Sequence, residues 1–295
     1  MNGATLTVAR QSGLAYMLQA AFGFAVMSLL VKLASRTLPT MQIVLARGCI
    51  TLAIASLMLL RARVLPFGTQ MGLMLFRGLV GSFALICFYG AVVHLPLAEA
   101  TVIHQTAPLF TALLAAWLLR EPLEASVLGS IALCIVGVVL IARPGLLLGG
   151  VASADFPWQY AFVGLLGAVL SAFAYVTVRR LGRSENPLVV VFYFPLVTVP
   201  VALPFALQEW IWPDAREWLL LVGIGVTTQY AQIAMTKGLA REAAGRATAV
   251  GYLQVAFAGL FGAVVLGDLP DGWSLLGMAL IVVALLAGLR RPRSG

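Results

Sequence analysis

The stretch LAEATVIHQTAPLFTALLAAWLLREPLEASVLGSIALCIVGVVLIARP, Leu97 to Pro144, holds two apolar runs parted by one polar break, Arg120 to Glu124. Its landmarks return later in the chain. Ala100-Thr101 reappears as Ala247-Thr248, 147 residues on, and the same offset pairs Glu121 with Asp268 and Leu113 with Leu260. Moving outward, the offset also pairs Lys32 with Arg179, Arg36 with Arg183 and Gly78 with Gly225. Apolar chains yield accidental Leu and Ala matches, so the charged and glycine pairs carry the weight. After Asp268 the register slips by one, matching Gly129 to Gly277 and Pro144 to Pro292. The second half is a copy of the first.

The solvent of this chain is a bilayer. Of 295 residues, 61% are hydrophobic and only 10% charged, and the mean hydropathy is +1.00, against about 25% charged in a soluble domain. A span needs about 20 mostly apolar residues. The candidates are Gly13–Ala34, Met41–Leu60, Met71–Val93, Ala98–Leu119 and Ala125–Ile141, then Trp158–Val178, Leu188–Leu207, Trp218–Met235, Ala243–Leu266 and Trp273–Leu289. Prolines at 39, 66, 96, 122, 144, 187, 213 and 270 punctuate the breaks. The first run has no convincing cleavage site and aligns with a later span, so it is read as a retained helix. The expected organisation is a single membrane domain: a first five-helix repeat over 12–142, a connector over 143–156 and a second repeat over 157–290.

Five is odd, so consecutive copies lie upside-down to each other. The expected fold is therefore all-α integral membrane, ten transmembrane helices in two inverted repeats around a central cavity, which is the plan of a secondary transporter. Lys and Arg counts orient it. Thirteen lie on the side of the N-terminus and four, Lys32, Arg36, Arg143 and Arg216, on the other; Arg47 and Arg77 fall within spans. Both termini are thus expected in the cytoplasm. The net charge of +8 sits in scattered short loops and forms no continuous patch, which argues against nucleic acid as a partner.

With the fold in hand, Leu97–Pro144 resembles the fourth and fifth helices of an EamA-type repeat of the drug/metabolite transporter superfamily. The resemblance rests on Ala100-Thr101, Pro108-Leu109-Phe110, Leu113-Leu114-Ala115, Leu119 with Glu121, and Gly129 with Gly137. The second half follows the pattern more loosely, with Val255 in place of Pro108 and Asp268 in place of Glu121. The resemblance implies a ten-helix carrier of a bacterial inner membrane, often an exporter of amino acids or other small metabolites.

Polar groups inside a membrane are expensive and should face the bundle interior. On the fourth span Thr101, Gln105, Pro108 and Ala112 share a stripe, with His104 on its shoulder. The ninth span repeats it as Thr248, Tyr252, Val255 and Gly259, with Gly251 on the shoulder. The third presents Gly78, Ser82, Leu85 and Tyr89, and the eighth Gly225, Gln229, Gln232 and Thr236. The first and sixth add Gln19, Ser28, Ser171 and Tyr175. The candidate substrate-binding set is Ser82, Tyr89, Thr101, His104, Gln105, Gln229, Gln232, Thr236, Thr248, Tyr252 and Arg47. For any one of them the alternative is an interhelical hydrogen bond without substrate contact.

Pro108, read as lying mid-helix, with Gly251 and Gly259, forms the candidate gating set; a static kink is the other reading. Arg47 and Arg77 lie about two turns from span ends, where snorkelling to headgroups is expected to outweigh a pathway role. His104 is either a proton relay or a satisfied neutral histidine. Cys49, Cys87 and Cys134 lack metal-ligand spacing, and neither metal nor cofactor is expected. No phosphate-binding loop occurs, which removes direct ATP drive. Every Asp and Glu falls in a break or at a helix end, which argues against a proton antiporter working through a buried carboxylate. No cluster of His, Asp or Glu suggests catalysis. The expected function is export of small amphipathic metabolites, with neutral and aromatic amino acids the leading candidates, by a monomer or dimer. The alternatives are a sugar-phosphate or nucleotide-sugar translocator, which would want more cavity cations than two, and a channel or sensor without alternating access.

Overall fold

The computed structural model describes residues 12–95, 97–142, 157–266 and 272–288. The connector over 143–156, Asp268 and the basic residues Arg10, Arg143, Arg290, Arg291 and Arg293 lie outside the described residues. The first repeat holds α1 (Gly13–Ala34), α2 (Thr40–Ala62), α3 (Met71–His94), α4 (Leu97–His104), α5 (Ala107–Leu119) and α6 (Ala125–Ala142). The second holds α7 (Trp158–Leu181), α8 (Pro187–Ala206), α9 (Ala215–Arg241), α10 (Ala244–Val250) and α11 (Leu253–Phe261), continued by a π-helical turn at Gly262–Leu266, then α12 (Gly272–Gly288). Counting α4 with α5 and α10 with α11 as single crossings gives ten membrane spans among the described residues, each where the sequence places one.

Local signals set the ends. Ser12 caps α1 by accepting from the Ala15 N–H at 3.2 Å. Asp214 and Glu217 form a reciprocal capping box that starts α9 three residues before the expected Trp218. At its other end α9 runs six residues past the expected Met235, because Lys237 and Arg241 lie over the Tyr16 ring at 5.6 and 4.5 Å and stay helical there. Helix α8 is continuous through Pro195, Pro200 and Pro204; neighbouring helices tolerate such freed carbonyls inside a membrane. Large apolar side chains such as Phe162, Leu219 and Val264 point outward, and Trp158, Trp212, Trp218 and Trp273 stand exposed at or just beyond helix ends in the manner of an aromatic belt.

The two repeats meet with inverted symmetry. Helix α1 lies along α9 and its repeat equivalent α7 lies along α3; α2 pairs with α8 and α6 with α12. Single contacts obey the same rule. Gly78 admits Val197, and Gly225 admits Ile50, and both members of the second contact stand 147 residues from their equivalents in the first. Where α6 crosses α12, a Cβ on Gly137 would lie 2.8 Å from the Gly277 carbonyl, so this approach needs glycine. Cys134, buried at that crossing, donates to the Ile281 carbonyl over 3.9 Å.

One expectation about the fourth span is corrected. Pro108 is not mid-helix. The helix ends at His104 and restarts at Ala107, so Pro108 sits in the first turn of α5, where its missing N–H is an orphan anyway. The junction tightens: Leu109 N–H bonds the Thr106 carbonyl at 3.0 Å and leaves the Gln105 carbonyl free. The ninth span breaks within one residue of the equivalent place, at Gly251–Tyr252, through short-range bonds such as Gly251 N–H to the Thr248 carbonyl at 2.9 Å.

Candidate functional site

The two interrupted spans touch at their breaks. The Tyr252 hydroxyl donates to the freed Gln105 carbonyl over 2.6 Å. These residues are equivalents at the repeat offset, so the contact lies on the pseudo-two-fold axis. Beside it opens a hollow of about 100 Å³, lined by Met17, Phe24, His104, Gln105, Pro108, Tyr175, Thr248, Gly251, Tyr252 and Gln254 among others. Through the shared walls Phe24, His104, Tyr175, Met235 and Gln254 it adjoins the main cavity of about 250 Å³.

That main cavity is lined by α1, α2, α3, α4, α7, α8, α9 and α11. Most of its wall comes in repeat-related pairs: Phe24 with Ser171, Met27 with Ala174, Ser28 with Tyr175, Arg47 with Phe194, Leu85 with Gln232, and Phe88 with Met235. The positions are symmetric and the chemistry is not. Both guanidinium groups come from the first repeat. A narrow third arm, with Thr51, Pro195, Thr228 and Gln229, shares Arg47, Phe194 and Gln232 with the main cavity.

Arg77 donates from Nη2 to Gln232 Oε1 at 3.1 Å, and its guanidinium lies 4.2 Å from the Phe194 ring centroid. Arg47 reaches the Met27 sulfur at 3.9 Å. Both side chains are buried and turned inward, which overturns the expectation that they snorkel to headgroups. The Gln254 amide contacts the Ser28 hydroxyl at 3.4 Å, and His104 lies against Phe88, ring centroids 4.4 Å apart. The His104 Nδ1 and both amide atoms of Gln229 are buried without a hydrogen-bond partner. No Asp or Glu lines these hollows among the described residues.

The structure brings Arg47, Tyr89, His104, Gln105, Gln229, Gln232, Thr248, Tyr252, Pro108 and Gly251 to the connected hollows. It does not bring Ser82, Thr101, Thr236 or Gly259 to these walls. Ser82 is spent between helices, sharing a hydrogen bond with Thr198 at 2.9 Å and donating to the Gly78 carbonyl at 2.8 Å. Thr236 is fully buried, and Gly259 faces Met278. Sequence reasoning missed Phe24, Phe88, Phe194 and Gln254 and set Arg77 aside. The repeat offset held the signal for two of them, since Phe24 and Phe194 are the equivalents of Ser171 and Arg47.

A second polar cluster closes the basic side. Arg120, left-handed at φ 55°, turns the chain after α5. Glu121 then accepts from Arg179 Nε at 2.7 Å, from Arg183 Nη2 at 3.3 Å and from the Ala244 N–H at the start of α10 at 2.8 Å. Arg179 Nη1 also donates to the carbonyls of Leu239 and Ala240. One carboxylate thus ties the first repeat to three helix ends of the second, and caps one of them.

The geometry describes a binding cavity between two inverted halves, with no nucleophile-and-base pair in it among the described residues. Known proteins agree. The EamA-like transporter family matches residues 11–143 and again 158–288, once for each half. The chain is 33% identical over 286 residues to the pseudopaline exporter CntI of Pseudomonas aeruginosa, spanning 97% of this chain and 98% of that protein. It is 32% identical over 232 residues to human solute carrier family 35 member G1, across 76% of this chain and 63% of that protein. A solved crystal structure superposes with a TM-score of 0.80 at 21% identity, covering 94% of this chain and 96% of the other; that likeness concerns the fold. A double match to one transporter model, laid over an inverted pair of bundles with a shared cavity, places this chain in the EamA-like transporter family, a multi-pass membrane carrier of small metabolites and not an enzyme.

Proposed function

We propose that the protein exports amino acids and related small amphipathic metabolites across a bacterial inner membrane, with both termini in the cytoplasm and 12–142 and 157–290 rocking against each other as repeats. The observation that carries this reading is the cavity on the pseudo-two-fold axis, whose walls combine aromatic rings with amide, hydroxyl and guanidinium groups. An amphipathic metabolite needs both: an apolar wall for its carbon frame and a few convergent polar groups for orientation. Export as the direction is supported by the name of the bacterial relative that spans nearly the whole chain. Gating is assigned to the paired breaks at Gln105–Thr106 and Gly251–Tyr252, where few helical bonds resist bending.

The test is counterflow in proteoliposomes loaded with a panel of amino acids. Saturable exchange supports a carrier; unsaturable, voltage-dependent current would instead mean a channel. Replacing Gln105, Gln229 and Tyr252 together by Ala should lower the flux at least tenfold while the protein still inserts and elutes as a monodisperse species. Wild-type flux in such a folded variant would move the pathway elsewhere.

A further inference from the structure

We infer that the cavity is built for a small metabolite carrying two carboxylates, held by Arg47 and Arg77. The inference deepens the export reading and rests on it. Both arginines are buried, with 9% and 3% of their surface exposed. Buried cations in a membrane protein are normally paired, because an uncompensated charge away from water is strongly destabilising. Here the protein supplies no anion: among the described residues no carboxylate lines the cavity. Arg47 has a thioether at 3.9 Å. Arg77 uses Nη2 on Gln232, while its Nε and Nη1 have no partner. A guanidinium with free donors matches a carboxylate, which can take two parallel hydrogen bonds.

The repeat shows that the fold does not require these charges. At the equivalent positions the second half carries Phe194 and Ile224, and Ile224 is fully buried. Arginine at 47 and 77 is thus a feature of the cavity and not of the helix plan. Gln229, unpartnered beside Arg47 in the narrow arm, and His104 Nδ1, unpartnered on the other flank, are placed to bind the remaining polar groups of the ligand, an amine among them. A neutral amino acid supplies a single carboxylate and leaves one guanidinium uncompensated.

The experiment uses the full chain purified in detergent, at fixed ionic strength and pH. Thermal unfolding is followed with L-glutamate, succinate, L-alanine, butyrate or inorganic phosphate, because a ligand that binds only the folded state raises the midpoint. Glutamate and succinate should protect at concentrations at least tenfold below alanine and butyrate. Arg47→Met and Arg77→Met should each erase that preference, while the ligand-free midpoint stays or rises, since an uncompensated charge has been removed. A fall in the ligand-free midpoint would mark the arginines as structural and overturn the inference. A variant that fails to fold has the same meaning as that fall. Equal protection by mono- and dicarboxylates overturns the two-carboxylate site and leaves amino-acid export untouched. Protection by phosphate alone also overturns it, in favour of a phosphate ester. Dicarboxylate protection without saturable flux of any amino acid or carboxylate supports the site and removes the export reading.

Discussion

Tyr252 is fully buried, yet its hydroxyl is satisfied because the fourth span fails to close its own hydrogen bonds one turn before Pro108. The Gln105 carbonyl would be a costly orphan in a membrane interior without that O–H. The two features are therefore one device: a break on one side of the axis and a phenol on the other. Tyr252→Phe keeps the ring and removes the donor. It should lower stability by about 1–2 kcal/mol, read as a lower unfolding midpoint in detergent, with Gln105→Ala, which leaves the carbonyl in place, having a smaller effect. An unchanged midpoint in Tyr252→Phe would show that water or another donor takes over.

At the scale of elements, Glu121 binds the end of α5 to α7, α9 and α10. Its three donors belong to the other repeat, so the contact must open if the halves are to separate on that side. Glu121→Gln keeps the size and loses the charge. The variant should lose about 1–3 kcal/mol, in the range of hydrogen bonds to charged groups, and show faster amide exchange at the start of α10 than elsewhere. Exchange that rises evenly through the bundle would indicate general destabilisation and not a local latch. Residue patterning placed Glu121 in the break after the fourth span and paired Arg179 with Lys32 at the repeat offset. Their joining across 58 positions depends on the docking of two bundles, which no local pattern encodes.

For the whole molecule the claim with most consequence is inversion. Arg36 and Arg183 are repeat equivalents and, if the halves are antiparallel, lie on opposite faces of the membrane. In a background with Cys49, Cys87 and Cys134 replaced by Ala, a membrane-impermeant thiol reagent should label Arg36→Cys from outside intact cells. Arg183→Cys should react only after permeabilisation. Labelling of both from one side would end the antiparallel arrangement and the shared cavity with it.

Spans and repeat were legible from residue types because each follows from the bilayer itself: length from its thickness and patterning from its dielectric. The stripes around Gln105, Gln232 and Tyr252 were legible for the same reason, since polar groups in lipid must turn inward. The direction of Arg47 and Arg77 was not, because a long side chain near a span end can reach either headgroups or the interior, and only the neighbouring helices choose. The same holds for Ser82, drawn away from the cavity by Thr198 of α8, and for the break before Pro108, stabilised by a tyrosine 147 residues away. One-dimensional order determined what each helix must hide from lipid. Which hidden group meets which was decided only when two halves closed around an axis.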